Sequence, residues 1–256
     1  QFIVRNAKNN RPVYTHDGAA FDSASGRSDA NLDIPSGWSA TGVLESTRAA
    51  APFAVLDTIY DSVSLVLTAA PSTSFPVLTV DWSPQNLGAQ TYYSNDSGGD
   101  DRHIMLSGEA DVDTDEYDPY VIAHEFGHYI EDRFSRSDNI GGSHSFYQRL
   151  DMRVAFGEGL GNAFAAMVIG SPMLRDSAGA GQLGEGRFNV ESDASDDGWF
   201  SENSVQELIY DLFDADNEGA DTLTIGFTPV WQVLTGVERN TPALTSIFPF
   251  IAGLRE

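Results

Sequence analysis

Between Ser46 and Thr68 the apolar residues Ala51, Phe53, Val55, Leu56, Ile59, Tyr60, Val63 and Leu67 recur at three- and four-residue intervals. That period predicts a helix with one face turned inward. The pattern then changes. "FPVLTVDWS" (75–83) alternates like a strand, and "TYYSNDSGGDDRHIMLSGE" (91–109) reads as a hairpin whose second strand is "RHIMLSG". After the acidic loop "EADVDTDEYD", Asp118 is a good N-cap and Pro119 suits a first helical position, so a helix is predicted to start there. A broken loop, "SRSDNIGGSHSFYQ", separates it from a helix over about 150–169, which contains the apolar run "AFAAMVIG". Further helices are predicted over 204–214 (capped by Asn203 or Ser204), 229–237 (Thr228, then Pro229) and 242–256 (Thr241, then Pro242).

Residues 1–45 carry short β-like runs, "QFIVRN" and "RPVYTH", between turn clusters such as "HDG" and "IPSGW". They are expected to form a small β-rich segment or the remnant of a preceding domain, with 46–256 as the main domain. Strands come first and helices second, an α+β arrangement. The chain starts "QFIVRNAKNN" without an initiator Met and stops at "IFPFIAGLRE" inside a predicted helix, so a processed or excised form is expected.

Composition changes the picture in two ways. Fourteen basic residues face 38 acidic ones, a net charge of −24, and Lys8 is the single lysine. Such a surface repels nucleic acid and anionic membranes. No continuous apolar run approaches the roughly 20 residues that span a bilayer, so membrane insertion is not expected. The chain has no cysteine, so any metal must be held by His, Asp or Glu.

"VIAHEFGHYI" (121–130) lies in the helix that starts at Pro119. Positions four apart share a helix face, so His124 and His128 can offer two nitrogens to one Zn²⁺. Glu125 points to one side, close enough to take a proton from a metal-activated water without being a ligand. A third histidine six residues after the second is absent: Glu131 and Phe134 stand where "HExxHxxGxxH" would need Gly and His. A carboxylate on the next helix is then the expected third ligand. Glu158, alone between Gly157 and Gly159 in an apolar stretch, supplies it, and Asn162 one turn later could accept an imidazole N–H.

The ordered set "RHIMLSGEADVDTDEYDPYVIAHEFGHYI … GEGLGNAF" resembles the gluzincins, in particular thermolysin-like and fungalysin-like metallopeptidases. The resemblance implies a zincin-like fold, Zn²⁺ on His124, His128 and Glu158, and Glu125 as general base. It also implies that the strand around 103–108 pairs with extended peptide substrate. Three features depart from the family pattern: Asn162 replaces an aspartate, the His128-to-Glu158 spacing is long, and "GWFSENSVQELIYDLF" lacks the histidine that stabilises the oxyanion. His144 and Tyr147 in "GGSHSFYQR" are the candidates for that role, with Tyr210 and Arg153 behind them; His16 and His103 have no partner pattern.

The expected function is a secreted or cell-surface zinc endopeptidase, acting as a monomer on protein or peptide substrates. The alternatives are an aminopeptidase or other small-amide hydrolase, and an inactive or structural metal-binding module. In "DADNEGAD" (214–221), Asp214, Asp216 and Glu218 with Gly219 copy the front of an EF-hand loop and make Ca²⁺ a second candidate ion. The twelfth place is Ile225, so the loop is not a complete EF-hand. "DSGGDD" (96–101) and "SDASDDG" (192–198) carry weaker forms of the same signal.

Overall fold

The computed structural model describes residues 1–18, 20, 22, 24, 26, 32–88, 91–95, 102–192, 197–216 and 222–255. Among the described residues, six helices and two four-stranded sheets make up a mixed α+β fold. The first sheet runs in the order β1 (Phe2–Asn6), β2 (Leu78–Trp82), β4 (His103–Leu106), β3 (Tyr92–Ser94). β1, β2 and β4 are parallel, and β3 closes one edge antiparallel to β4. Every residue of β2 is buried, as befits a central strand covered on both faces. Its one charged residue, Asp81, is held by the Arg5 guanidinium of the neighbouring strand.

Pairing of β1 with β2 corrects the expected boundary at residue 45. The first residues are a strand of the main sheet and not a separate ribbon, because Phe2 to Asn6 are in register with Leu78 to Trp82. A parallel partner 76 residues away leaves no local mark in the sequence.

Helix α1 (Ala51–Ala69) begins at the first periodic position, Ala51. It is the one described helix long and apolar enough by composition to cross a membrane. It is packed as a core helix: Val55, Ile59, Ser62 and Val66 are buried, whereas Asp57, Tyr60 and Asp61 face outward. Just before it, Arg48 is buried and donates to Glu116 at 2.5 Å, to Thr114 and to the Gly108 carbonyl. Trp82 Nε1 donates to the other oxygen of Glu116 at 3.0 Å, and the Arg48 guanidinium lies 5.4 Å from the Trp82 ring centroid. This cluster ties the start of α1 to the turn that leads into α2.

Helix α2 (Pro119–Phe134) starts where the sequence predicts, but Asp118 does not cap it through its side chain. The Asp118 carboxylate instead accepts from Ser177 N (3.2 Å) and Ser177 Oγ (2.7 Å). Helix α3 (Met152–Ile169) is capped by Asp151, which accepts from Arg153 N at 3.0 Å. The two helices cross at glycine: a Cβ on Gly127 would lie 2.9 Å from the Gly161 Cα. Gly157 and Gly159, the small neighbours noted in the sequence, serve other contacts. A Cβ on Gly157 would meet Asn139, and one on Gly159 would meet Val205 of the next helix.

The second sheet runs in the order β5 (Gly108–Glu109), β6 (Asp113–Thr114), β7 (Met173–Ala178), β8 (Gly184–Asn189), and its last two strands lie where the sequence pattern predicts no strand. β7 and β8 bury few side chains and so show no inward period. Helix α4 (Glu202–Asp211) is capped by Ser201, two or three residues earlier than predicted, and α5 (Phe227–Val233) begins after Gly226 and continues as a π-helical turn, Leu234–Glu238. Helix α6 (Ile247–Leu254) starts five residues later than Pro242 suggests. The intervening residues are pinned in non-helical form: Arg136 donates to the Thr241 carbonyl at 2.6 Å, and Thr245 N donates to Asp138 at 2.9 Å.

Candidate metal centre

Three polar pairs, each four residues apart on one helix, come together beside the α2–α3 crossing. They are His124 and His128 on α2, Glu158 and Asn162 on α3, and Glu202 and Gln206 on α4. The first three donors lie close together: His124 Nε2 to His128 Nε2 is 3.1 Å, and Glu158 Oε2 is 3.3 Å and 3.5 Å from the two nitrogens. Four ligands at zinc-bond lengths form a tetrahedron with edges of about 3.4 Å. Two imidazoles and one carboxylate at these separations fit a zinc ion.

Behind the donors, His124 Nδ1 is 2.8 Å from Asn162 Oδ1, while Asn162 Nδ2 donates to Gln206 Oε1 at 2.9 Å. Gln206 Nε2 in turn donates to the Val190 carbonyl at 3.4 Å. With its NH₂ committed to Gln206, Asn162 presents its oxygen to His124. The hydrogen therefore sits on Nδ1, and Nε2 keeps the lone pair a metal needs. Ring position is fixed by packing as well, since a Cβ on Gly161 would stand 2.9 Å from His124 Cε1. Removing the orienting amide in Asn162→Ala is expected to lower zinc affinity by about 10–100-fold, measured by competition with a chromophoric chelator. Unchanged affinity would mean that packing alone orients the ring.

Glu125 projects from α2 beside the donors and is not one of them. It is buried, and its Oε2 has no hydrogen-bond partner among the described residues. A buried carboxylate oxygen without a donor is costly, and it suits a group that takes a proton from something brought into the cleft. The cleft itself is a cavity of about 930 Å³. Tyr92 and Tyr93 of β3 line one side, Asn139, His144 and Phe146 of the α2–α3 loop the other, and Glu125 and Glu202 lie within it.

His144 belongs to this site. Its Nε2 is 3.3 Å from Glu202 Oε2 and 3.6 Å from Glu158 Oε2, and its Nδ1 is 3.2 Å from the Gly142 carbonyl. Glu202 above all, and then Glu158, raise the His144 pKa to about 9 against the opposing effect of burial. Tyr147 is not brought to the site: it is 83% exposed and stacks edge-on with Phe146, outside the cavity wall. Tyr210 is buried in the hydrophobic core, and Arg153 is paired with Asp151 at 2.8 Å. The strand expected to hold substrate is also corrected. β4 lies between β2 and β3, so its backbone is already paired on both sides, and β3 carries the edge beside the cavity. Asp214 is half-buried and Asp216 exposed beyond α4, while Glu218 and residues 96–101 lie outside the described residues.

Burial opposes a charge on His128, but the Glu158 carboxylate, with Glu125 and Glu131 behind it, outweighs burial and raises the pKa to about 10. Reciprocally, burial works against the Glu158 carboxylate, yet His128 and His124 hold it well below the usual carboxylate range. A histidine whose folded pKa is raised stabilises the metal-free chain fully below its ordinary value of 6.5, and that contribution is lost as pH rises through about 10. Zinc needs the neutral imidazole, so binding at pH 7 must expel the proton on His128. Zinc affinity is therefore expected to rise with pH by about tenfold per unit for each proton released. Titration calorimetry in buffers of different ionisation heat measures that proton, and zero release would contradict the assignment.

Sequence reasoning missed Glu202 and Gln206. Their four-residue spacing in "ENSVQEL" repeats the spacing of the two pairs it did identify. No curated protein matches the chain. The family description Mycolysin C-terminal domain matches residues 64–239, a span that contains all the residues grouped around His124, His128 and Glu158. With well over half of the sequence inside that match, the chain belongs to the mycolysin C-terminal domain family, which associates it with mycolysin-type metallopeptidases.

Proposed function

We propose that the chain is a zinc-dependent endopeptidase with a zincin-like architecture. The observation that carries this reading is the meeting of His124, His128 and Glu158 at tetrahedral separations, with the unpartnered Oε2 of Glu125 beside them in an open cleft. The family's link to metallopeptidases supports it.

When bound, zinc supplies Lewis acidity, acidifying a water molecule and polarising the scissile carbonyl. The chain's own residues do the rest. Glu125 accepts the proton of the attacking water and passes it to the leaving amine. His144, a donor on the cleft wall with Glu202 behind it, faces the negative charge that develops on the carbonyl oxygen. β3 offers its free edge to an extended peptide, and Tyr92 and Tyr93 flank it. Asn162 and Gln206 keep His124 in the tautomer the metal requires. A secreted or cell-surface setting, a monomeric state, and no role with nucleic acid or membranes complete the proposal, in keeping with a net charge of −24.

Hydrolysis of a fluorogenic peptide library by the chelator-stripped chain, before and after one equivalent of zinc, tests the function. Cleavage within peptides only after zinc is expected. Release of single N-terminal residues alone would replace the endopeptidase by an aminopeptidase. The presence of Glu202 near the donors gives that second reading its footing, since a free amine needs such a carboxylate.

A further inference from the structure

Glu158 is shared between two tripods of donor atoms. One is the His124–His128–Glu158 set; the other is His144 Nε2, Glu158 Oε2 and Glu202 Oε2, all within 4.8 Å of one another. In the second tripod the His144 nitrogen is 3.3 Å from Glu202 and 3.6 Å from Glu158. Both distances exceed the roughly 2.7–2.9 Å of a charge-assisted N–H···O bond. They bracket the edge of about 3.4 Å expected between two ligands on one tetrahedral zinc. Glu202 is 2% exposed, and among the described residues its ion-pair partner is His144, so no Arg or Lys neutralises it. A carboxylate so deeply buried, facing a second carboxylate across an imidazole, is a place where a dication is strongly favoured.

We propose that this tripod is a second, weaker zinc site, with Glu158 bridging the two ions and His144 and Glu202 as its own ligands. Bridged pairs of this kind hold ions about 3.5–4 Å apart. One nitrogen and two carboxylates suit Zn²⁺ better than Ca²⁺, which takes six or more oxygens. Occupancy has a functional consequence that rests on the peptidase reading above. A second ion would displace the Nε2 proton of His144 to solvent and so remove the donor that faces the oxyanion. The same residues therefore activate at one equivalent of zinc and inhibit at two.

The test is zinc binding by the full chain after chelator stripping, followed by equilibrium dialysis and elemental analysis at neutral pH. Wild type should saturate at two zinc ions per chain, with Glu202→Gln and His144→Asn each at one. Circular dichroism checks that both variants fold, and either alone suffices for the comparison. A wild type that saturates at one, or folded variants that still bind two, overturns the second site. Peptide hydrolysis by wild type should rise with the first equivalent and fall as the second binds; a second equivalent bound without loss of rate overturns the inhibitory role. No hydrolysis at any zinc level, with the two-to-one stoichiometry difference intact, refutes the peptidase reading while supporting the second site.

Discussion

Glu125→Gln is expected to leave zinc bound and to lower peptide hydrolysis by about 10²–10⁴-fold, the contribution of a positioned general base. Glutamine keeps the size and one oxygen of the carboxylate but cannot accept a proton. None of the three metal donors is touched, so zinc content should stay at the wild-type value while kcat falls and KM changes little. Oε2 has no hydrogen-bond partner among the described residues, so the replacement breaks no internal bond at that atom. The fold is therefore expected to survive, and stability should move by less than the activity. Steady-state kinetics with elemental analysis of the same sample reads both. A variant with full activity would remove Glu125 from the mechanism, and one that loses zinc would make Glu125 a ligand.

Arg48→Met should destabilise the chain by about 3–5 kcal/mol, the cost of breaking a buried ion pair from one side. Glu116 is fully buried, and without Arg48 it keeps only Thr114 and the Trp82 indole N–H as donors. The loss also frees the Gly108 carbonyl and strips the Trp82 face of its cation. Urea unfolding of the metal-free protein measures the change. Adding Glu116→Gln to Arg48→Met removes the stranded charge, so the double variant should recover part of the loss. A single variant within about 1 kcal/mol of wild type would show that the pair does not hold α1 to the turn before α2.

Much of the centre is legible because its chemistry repeats with the helix period. His124/His128 and Glu158/Asn162 stand four apart in apolar surroundings, and the same spacing in Glu202/Gln206 is readable once the rule is known. What stays hidden is set by pairings between distant segments. Nothing near Phe2 announces a parallel partner at Leu78, and nothing in "RHIMLSG" says that β3 will cover its outer side. β8 is mostly exposed and β7 buries only Leu174, so they lack the alternation that marks a strand with one buried face. His144 and Tyr147 look equivalent in "GGSHSFYQR", and only the fold turns one toward Glu202 and leaves the other in solvent. Thr241–Pro242 has the form of a helix start, but Arg136 and Asp138 hold that stretch in another conformation.

Zinc K-edge X-ray absorption on the chain loaded with one equivalent tests the central claim most directly. The account predicts two imidazole nitrogens and one carboxylate oxygen at about 2.0–2.2 Å, with the coordination completed by a solvent ligand that azide or a hydroxamate displaces. Four protein donors that no added ligand displaces would mark a closed structural site and contradict it.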